Sequence, residues 1–163
     1  MKSDVKVKIC GLKTAKTVQA SVTGGTDYIG FVFFGKSPRY VTPQENAKLA
    51  KYVPEAVVKV GLVVDADDAL LDNIVSEGAI DMLQLQGNET PTRVAEIKAK
   101  TGLPVMKALG VSEKSDLDVL EHYIGIADQL LIDAKPPRGA QLPGGNGLSF
   151  DWTLLSKATI SAP

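Results

Sequence analysis

Six short apolar segments recur along the chain at intervals of about 22 to 30 residues, and this spacing constrains the fold more than any other feature. The segments read VKVKICG, YIGFVFF, VVKVGLVV, DMLQLQG, PVMKALG and QLLIDAKP. The stretches between them carry helix start and stop signals. Strands that alternate with helices in this way form βαβ units, whose strands lie parallel in one sheet. The sequence therefore predicts an α/β protein with a single domain over residues 1–163.

The helix signals are local features of the sequence. The segment after Thr42 has Pro43 at the first helical position and Glu45 three residues after the cap, which predicts a capping box. A second Thr-Pro pair begins at Thr90, and its helix is expected to end at Gly102 in a left-handed cap. Further helices are predicted in KTAKTVQASVTGG, ADDALLDNIVSEG, SEKSDLDVLEHYIG and, as a short one, DWTLLSKA.

Two architectures fit this alternation, an open doubly wound sheet and a (β/α) barrel. The strands of an open parallel sheet are covered by helices on both faces and are normally apolar throughout. Polar residues on the strands here, mostly near the carboxyl ends, would each cost about 1 to 3 kcal/mol if buried without a partner. Polar side chains at the mouth of a barrel avoid that cost and can form a binding site, so the pattern favours the barrel. These polar residues are Lys8, Cys10, Lys59, Asp65, Gln84, Gln86, Lys107 and Asp133.

Composition and charge argue against several classes of protein. A formal net charge of −1 and the lack of a long apolar run predict neither nucleic-acid binding nor a membrane span. The charged first residues differ from a signal peptide, and a single cysteine cannot form an intrachain disulfide, so a cytoplasmic location is expected. Cys and His show no metal-ligand spacing. His122 lies within a helical pattern and is expected at or near the surface.

Two strand ends carry residues suited to proton transfer. Cys10 ends the first predicted strand, and Lys8 shares its face because side chains alternate along a strand. An ammonium nearby favours the thiolate, which can act as a base or nucleophile, whereas most free cysteines are simply buried apolar residues. Asp133 ends the sixth strand after three apolar residues. Asp133 is expected either to cap the following turn or to be a general acid whose pKa is raised by apolar surroundings.

Two loops carry residues suited to binding anions. Arg39, in SPRYV after the second strand, can form a bidentate clamp on a carboxylate or phosphate, although an exposed and unengaged arginine is an equal alternative. The GGNG loop after the sixth strand includes Gly144 and Gly145. Glycines allow backbone amides to approach an anion closely, which makes these two residues candidates for substrate binding.

Taken together and in this order, KICGL, GFVFFGKSPRYV, LQLQG, LLIDAK and GGNGLSFDW resemble the motifs of the phosphoribosylanthranilate isomerases of tryptophan biosynthesis. The resemblance extends from Lys8 to Trp152. It implies a (β/α)8 barrel that converts N-(5-phosphoribosyl)anthranilate to 1-(2-carboxyphenylamino)-1-deoxyribulose 5-phosphate. This Amadori rearrangement of a phosphosugar uses general acid and base catalysis, without a cofactor or a metal.

The resemblance also implies roles for individual residues. The general base of the family falls on Cys10 and its general acid on Asp133, while Arg39 would bind the anthranilate carboxylate. The placement of Lys8 near the thiolate comes from the strand pattern rather than from the resemblance. Family members usually have histidine where this chain has Gln86, and the amide keeps hydrogen bonding but loses a titratable group. Lys8 and Gln86 are therefore further candidates for substrate contact.

The chain ends at Pro163, where family members continue into a seventh and an eighth strand, so six βα units of the barrel are expected. The loops after those two strands hold most of the phosphate site in such barrels. The chain alone is therefore expected to be less active and less stable, or to self-associate through unpaired sheet edges. The alternatives to an isomerase are a catalytically silent barrel fragment that keeps the acid/base pair, another phosphosugar enzyme on this fold, and an open-sheet response or redox module.

Overall fold

Strands and helices alternate along the chain in the computed structural model, which describes residues 5–135, 139, 147 and 149–157. The strands are β1 (Lys8–Cys10), β2 (Tyr28–Val32), β3 (Val58–Val63), β4 (Met82–Leu85), β5 (Val105–Val111) and β6 (Gln129–Ala134). The α-helices are α1 (Ala15–Thr23), α2 (Pro43–Ala50), α3 (Asp68–Glu77) and α4 (Pro91–Thr101). Two 3₁₀ helices, Lys114–Tyr123 and Trp152–Lys157, follow β5 and β6. The predicted α/β alternation is confirmed.

The chain divides into two compact units, of which the first comprises residues 1–83. Its strands β1, β2 and β3 are parallel and lie in chain order, with Cys10 opposite Gly30 and Gly30 opposite Val60. Ile29 and Phe31 of β2 are fully buried. Burial of each such side chain contributes about 1.5 to 3 kcal/mol, so the central strand β2 is the core of this unit.

The second unit comprises residues 84–163 and contains the end of β4 together with β5 and β6. β5 and β6 are parallel, with Lys107 opposite Leu130 and Gly110 opposite Asp133. Val94 and Ile97 of α4 are fully buried, as are Val105 and Val111 of β5. Because α4 connects β4 to β5 and buries its apolar face, the unit has the strand–helix–strand pattern that the sequence predicts.

The predicted helix caps are present in the structure. The Thr42 side chain accepts a hydrogen bond from the backbone N–H of Glu45, and the Glu45 side chain accepts one from the backbone N–H of Thr42, completing the capping box. Thr90 caps α4, which ends at Gly102 with φ of 67°, the left-handed conformation that glycine adopts without strain. Sequence signals within one turn of a helix end therefore predicted the boundaries well.

The segment SEKSDLDVLEHYIG differs from its prediction, because it forms a 3₁₀ helix over Lys114–Tyr123. The side chain of Asp116 accepts hydrogen bonds from the backbone N–H groups of Ser112 and Glu113. Asp116 is the third residue of this helix, and the bond that it accepts from the Glu113 N–H is half of a capping box, which fixes where the helix begins but not which type of helix forms. 3₁₀ turns occur as connectors between other elements, and the predicted helix in DWTLLSKA is likewise a 3₁₀ helix.

Candidate active site

Cys10 is the last residue of β1, as predicted, and its side chain is half-buried. Gly30 lies opposite it on β2, and a Cβ atom at residue 30 would be only 2.6 Å from the Cys10 Sγ atom. Real Cβ atoms do not approach so closely. Glycine at residue 30 therefore provides the space that the thiol occupies.

Arg39 lies beside Gly11, the residue that follows Cys10. The chain leaves β1 through Gly11, whose φ of 83° suits glycine, and a Cβ atom there would lie 2.5 Å from the Arg39 Cδ atom. The loop that carries Arg39 is held by a hydrogen bond from its backbone N–H to Ser37 Oγ (3.1 Å) and by one from Lys13 Nζ to the Pro38 carbonyl (3.0 Å). The structure thus brings the predicted arginine close to the end of β1.

Lys8 lies two residues before Cys10 and is also half-buried, whereas Ile9 between them is more exposed. This alternation is the one expected for a strand. A contact between the Lys8 ammonium and the thiol stays a prediction. His122 is exposed on the 3₁₀ helix that follows β5, as expected.

Asp133 lies near the carboxyl end of β6 and is half-buried. Its Oδ1 atom accepts a hydrogen bond from the backbone N–H of Ala134 (2.9 Å), and its Oδ2 atom accepts one from Gln86 Nε2 (3.3 Å). Gln84 Nε2 in turn donates to Gln86 Oε1 (2.6 Å). Gln84 therefore contacts Gln86, and Gln86 contacts the carboxylate of Asp133, which the resemblance identifies as the general acid.

Lys107 was expected at the mouth of a barrel, and that part of the prediction is wrong. Its side chain is 1% exposed and forms an ion pair of 2.9 Å with Glu89, which is 2% exposed. Lys107 Nζ also donates to the carbonyl oxygens of Leu85 (3.3 Å) and Gly87 (2.8 Å), on either side of Gln86. A buried ammonium needs such partners because leaving water is expensive. Lys107 thus holds the turn after β4.

Tyr123 completes this buried group. Its hydroxyl donates to the Glu89 backbone carbonyl (2.9 Å), and the Lys107 ammonium lies 5.9 Å from the centre of its ring. Burial raises the pKa of Tyr123, and the negative charge of Glu89 adds to the effect. The sequence signals did not identify Glu89, because a glutamate four residues after a strand is usually part of a solvated loop.

Lys59 and Asp65 lie at opposite ends of β3. Lys59 is the second residue of β3, and its ammonium pairs with the Asp81 carboxylate at 2.6 Å. Asp81 comes directly before β4, so this pair lies at the amino ends of the strands and the expectation for Lys59 is wrong. Asp65 does follow β3, and its φ of 45° places it in a tight turn.

A third ion pair includes Lys135, which lies close to Asp133 in sequence. Lys135 Nζ donates to Asp116 Oδ1 at 2.5 Å. Burial alone would raise the pKa of Asp116, but hydrogen bonds from Lys135 and from the backbone of Ser112 and Glu113 outweigh it and lower the pKa to about 2. The same contact raises the pKa of Lys135. This pair links the residue after β6 to the 3₁₀ helix that follows β5.

Cys10 and Arg39 lie in the first unit, and Gln86 and Asp133 in the second. The predicted anion-binding residues Gly144 and Gly145 fall outside the described residues. Within the described part of the chain, no three or more His, Cys, Asp or Glu side chains are grouped so that they could hold a metal ion. None of the helices described is both long and apolar enough to cross a bilayer.

Comparison with known proteins gives consistent matches over most of the chain. Residues 7–162 match the family model described as N-(5'phosphoribosyl)anthranilate (PRA) isomerase. An N-(5'-phosphoribosyl)anthranilate isomerase of Paracoccus denitrificans is 58% identical over 159 residues, which cover 98% of this chain and 74% of that protein. Both findings agree with the resemblance that the motifs indicate.

Solved structures give the same result for the fold. The crystal structure of phosphoribosyl anthranilate isomerase from Thermotoga maritima matches with a TM-score of 0.81 and 32% identity, over 93% of this chain and 70% of that one. A second isomerase, in complex with reduced 1-(o-carboxyphenylamino)-1-deoxyribulose 5-phosphate, matches with a TM-score of 0.73 and 30% identity, over 80% of this chain and 65% of that one. The predicted barrel-family fold with six βα units is confirmed. The chain belongs to the N-(5'-phosphoribosyl)anthranilate isomerase family.

Proposed function

We propose that the protein isomerises N-(5-phosphoribosyl)anthranilate to 1-(2-carboxyphenylamino)-1-deoxyribulose 5-phosphate in tryptophan biosynthesis, with Cys10 as general base and Asp133 as general acid. The observation that carries the proposal is the family match over residues 7–162, which includes both residues. It is supported by the position of Cys10 at the carboxyl end of β1 and of Asp133 near the carboxyl end of β6, because barrel enzymes place their catalytic groups at the carboxyl ends of strands.

The chemistry of the reaction suits these two side chains. Opening the ribofuranose ring requires a proton on the ring oxygen, which a protonated Asp133 would donate. The open form is a Schiff base, and it loses its C2′ proton to the Cys10 thiolate. The resulting enolamine then gains a proton at C1′ and loses the proton of its 2′-hydroxyl group, which gives the ketone. Atoms and electrons balance within the substrate, so the reaction requires no external oxidant or reductant.

Arg39 would bind the carboxylate of the anthranilate ring, because a guanidinium matches a carboxylate with two parallel hydrogen bonds. Its position over Gly11, next to Cys10, supports this role. Lys8 and Gln86 would contact the sugar, and Gly144 and Gly145 the phosphate. The complex of the related isomerase with a reduced carboxyphenylamino-deoxyribulose phosphate supports a phosphosugar of this class as the substrate. We place the reaction in the cytoplasm.

The test is a kinetic comparison of the protein with its Cys10→Ala and Asp133→Asn variants. Each variant should lower kcat by about 10² to 10⁴, the range for removal of a positioned acid or base, with a smaller change in KM. Asp118→Asn is the matched control, since Asp118 is an exposed carboxylate on the 3₁₀ helix after β5. Expression in a tryptophan auxotroph that lacks this isomerase provides an independent assay. Failure of the unaltered protein in both assays would favour the silent barrel fragment.

A further inference from the structure

We propose that Gln84 is a positioning residue that acts through Gln86 on the carboxylate of Asp133. This inference rests on the proposed function, in which Asp133 supplies a proton to the substrate. Gln84 and Gln86 face the same side of β4 and its extension, because they are two residues apart. Gln84 is 3% exposed, so the pair extends from the buried sheet towards the half-buried Asp133.

The direction of the hydrogen bonds follows from the chemistry of Asp133. In its ionised form the carboxylate of Asp133 only accepts hydrogen bonds, so Gln86 then presents its Nε2 group to Oδ2, and the two atoms are 3.3 Å apart. The carbonyl oxygen of Gln86 then faces Gln84, which must donate from its own Nε2 at 2.6 Å. Gln84 thus holds Gln86 in the one amide orientation that offers a donor to Asp133.

The environment of Gln84 supports a role beyond packing. Its Oε1 atom is buried and has no hydrogen-bond partner among the residues that the structure describes. A buried acceptor without a partner is destabilising, and an apolar side chain of similar size would avoid that cost. The amide is therefore unfavourable for stability alone, while its N–H group makes the hydrogen bond to Gln86.

The backbone on both sides of Gln86 is fixed as well. Lys107 Nζ donates to the carbonyl oxygens of Leu85 and Gly87, so the backbone before and after Gln86 is held by a buried side chain. Gln84 then determines which end of the Gln86 amide faces Asp133. Backbone and side chain are thus positioned by two separate buried residues.

The arrangement leaves a defined place for the acid proton. Each oxygen of Asp133 accepts one protein hydrogen bond, from Gln86 and from the backbone of Ala134. A carboxyl group has about four lone-pair sites, so the proton of the acid form occupies a remaining site, to which no residue that the structure describes donates. Gln84 and Gln86 restrict rotation of the carboxyl group and thereby restrict the direction in which that proton is offered.

The experiment is a double-mutant cycle on the full protein with Gln84→Met, Gln86→Met and the combined variant. Methionine keeps the side-chain length and removes the hydrogen bonds. Loss of one hydrogen bond of about 1 to 1.5 kcal/mol should lower kcat by about 5- to 15-fold in Gln84→Met, with KM within about twofold. In the Gln86→Met background, the same change at residue 84 should alter kcat by less than about twofold. Effects that simply multiply would overturn the proposal.

A second variant separates hydrogen-bond direction from packing. Gln84→Glu offers only acceptors to Gln86, so the Gln86 amide must turn its carbonyl towards Asp133. This variant should lower kcat by more than Gln84→Met does, whereas a purely steric role predicts equal losses for the two. Gln19→Met is the matched control, since Gln19 is exposed on α1. Thermal melting identifies any variant that does not fold.

A measurement independent of activity keeps this inference distinct from the proposed function. The side-chain amide signals of Gln86 in ¹H–¹⁵N spectra should shift and exchange faster with water in both Gln84→Met and Asp133→Asn. Signals unchanged in Gln84→Met would overturn the inference, whatever the activity. Full kcat in Asp133→Asn, together with shifted Gln86 signals, would instead contradict the acid assignment and leave the Gln84–Gln86 link in place.

Discussion

Lys107 and Glu89 form an ion pair of 2.9 Å in which both side chains are almost completely buried, at 1% and 2% exposure. The two residues lie on β5 and in the turn after β4. Removal of one partner leaves the other charge buried and unpaired, which is far more damaging than the loss of a surface pair. We therefore expect the free energy of unfolding to fall sharply when either partner is removed.

Lys107→Met should lower the free energy of unfolding by about 3 to 5 kcal/mol, because Glu89 loses its ammonium partner in a buried site. Denaturant unfolding at neutral pH measures the change. Lys98→Met is the matched control: Lys98 pairs with Asp128 at 2.7 Å, but the two side chains are 40% and 36% exposed. Lys98→Met should lower the free energy of unfolding by only about 0 to 1 kcal/mol. Equal losses in the two variants would contradict the assignment of a buried pair.

Arg39→Ala should act mainly through KM, which we expect to rise about 10- to 100-fold with a smaller change in kcat. A carboxylate clamp binds the ground state and the transition state alike, and a hydrogen bond to a charged group contributes about 1.5 to 3 kcal/mol. Arg39→Lys keeps the charge but loses the planar guanidinium group, so its KM should lie between that of the unaltered protein and that of Arg39→Ala. An unchanged KM in saturation kinetics of Arg39→Ala would show that Arg39 does not bind the substrate carboxylate.

Gly30→Ala should displace the Cys10 thiol and lower kcat by about tenfold or more, since the added Cβ would meet Sγ at 2.6 Å and the Cys10 backbone at 3.1 Å. Overpacking of this kind also lowers stability, by about 1 to 3 kcal/mol. Steady-state kinetics and thermal melting measure the two effects. The control is Gly35→Ala, where nothing lies within 4 Å of the added atom. A Gly30→Ala variant with normal kcat would show that the thiol position is not critical.

Asp116 should contribute to stability in a pH-dependent way, because its pKa in the folded protein is about 2, below its usual value of 3.8. The contribution is complete above the unfolded pKa and is lost as the pH falls through the folded value. The exposed Lys135 partner is screened by water, so the contribution is on the order of 1 kcal/mol.

Asp116→Asn should therefore be less stable than the unaltered protein at pH 6, and the difference should shrink between pH 4 and pH 2. Urea unfolding at several pH values measures it, with Asp118→Asn as a control carboxylate on the same 3₁₀ helix. A difference that stays constant with pH would assign the role of Asp116 to its shape rather than to its charge.

The alternation of strands and helices, and most helix boundaries, could be predicted from the sequence, because their causes lie within a few residues. Thr42 and Glu45 form a capping box within a single turn, and Gly102 ends α4 through its own backbone conformation. The same is true of Cys10 at the end of β1. The type of helix could not be predicted at Lys114–Tyr123, because the capping box of Glu113 and Asp116 fixes only where that helix begins.

The roles of the polar strand residues depend on partners that are distant in the chain. The same pattern that placed Lys59 and Lys107 at a barrel mouth could not identify Asp81, 22 residues away from Lys59, or Glu89, 18 residues away from Lys107. Likewise, Gln86 meets Asp133 across 47 residues. A charged or amide group in a strand is compatible with a site or with a buried pair, and the free energy of burial depends on which partner the fold supplies. That choice is made by tertiary packing, whereas the strand, the helix and the cap follow from local chemistry.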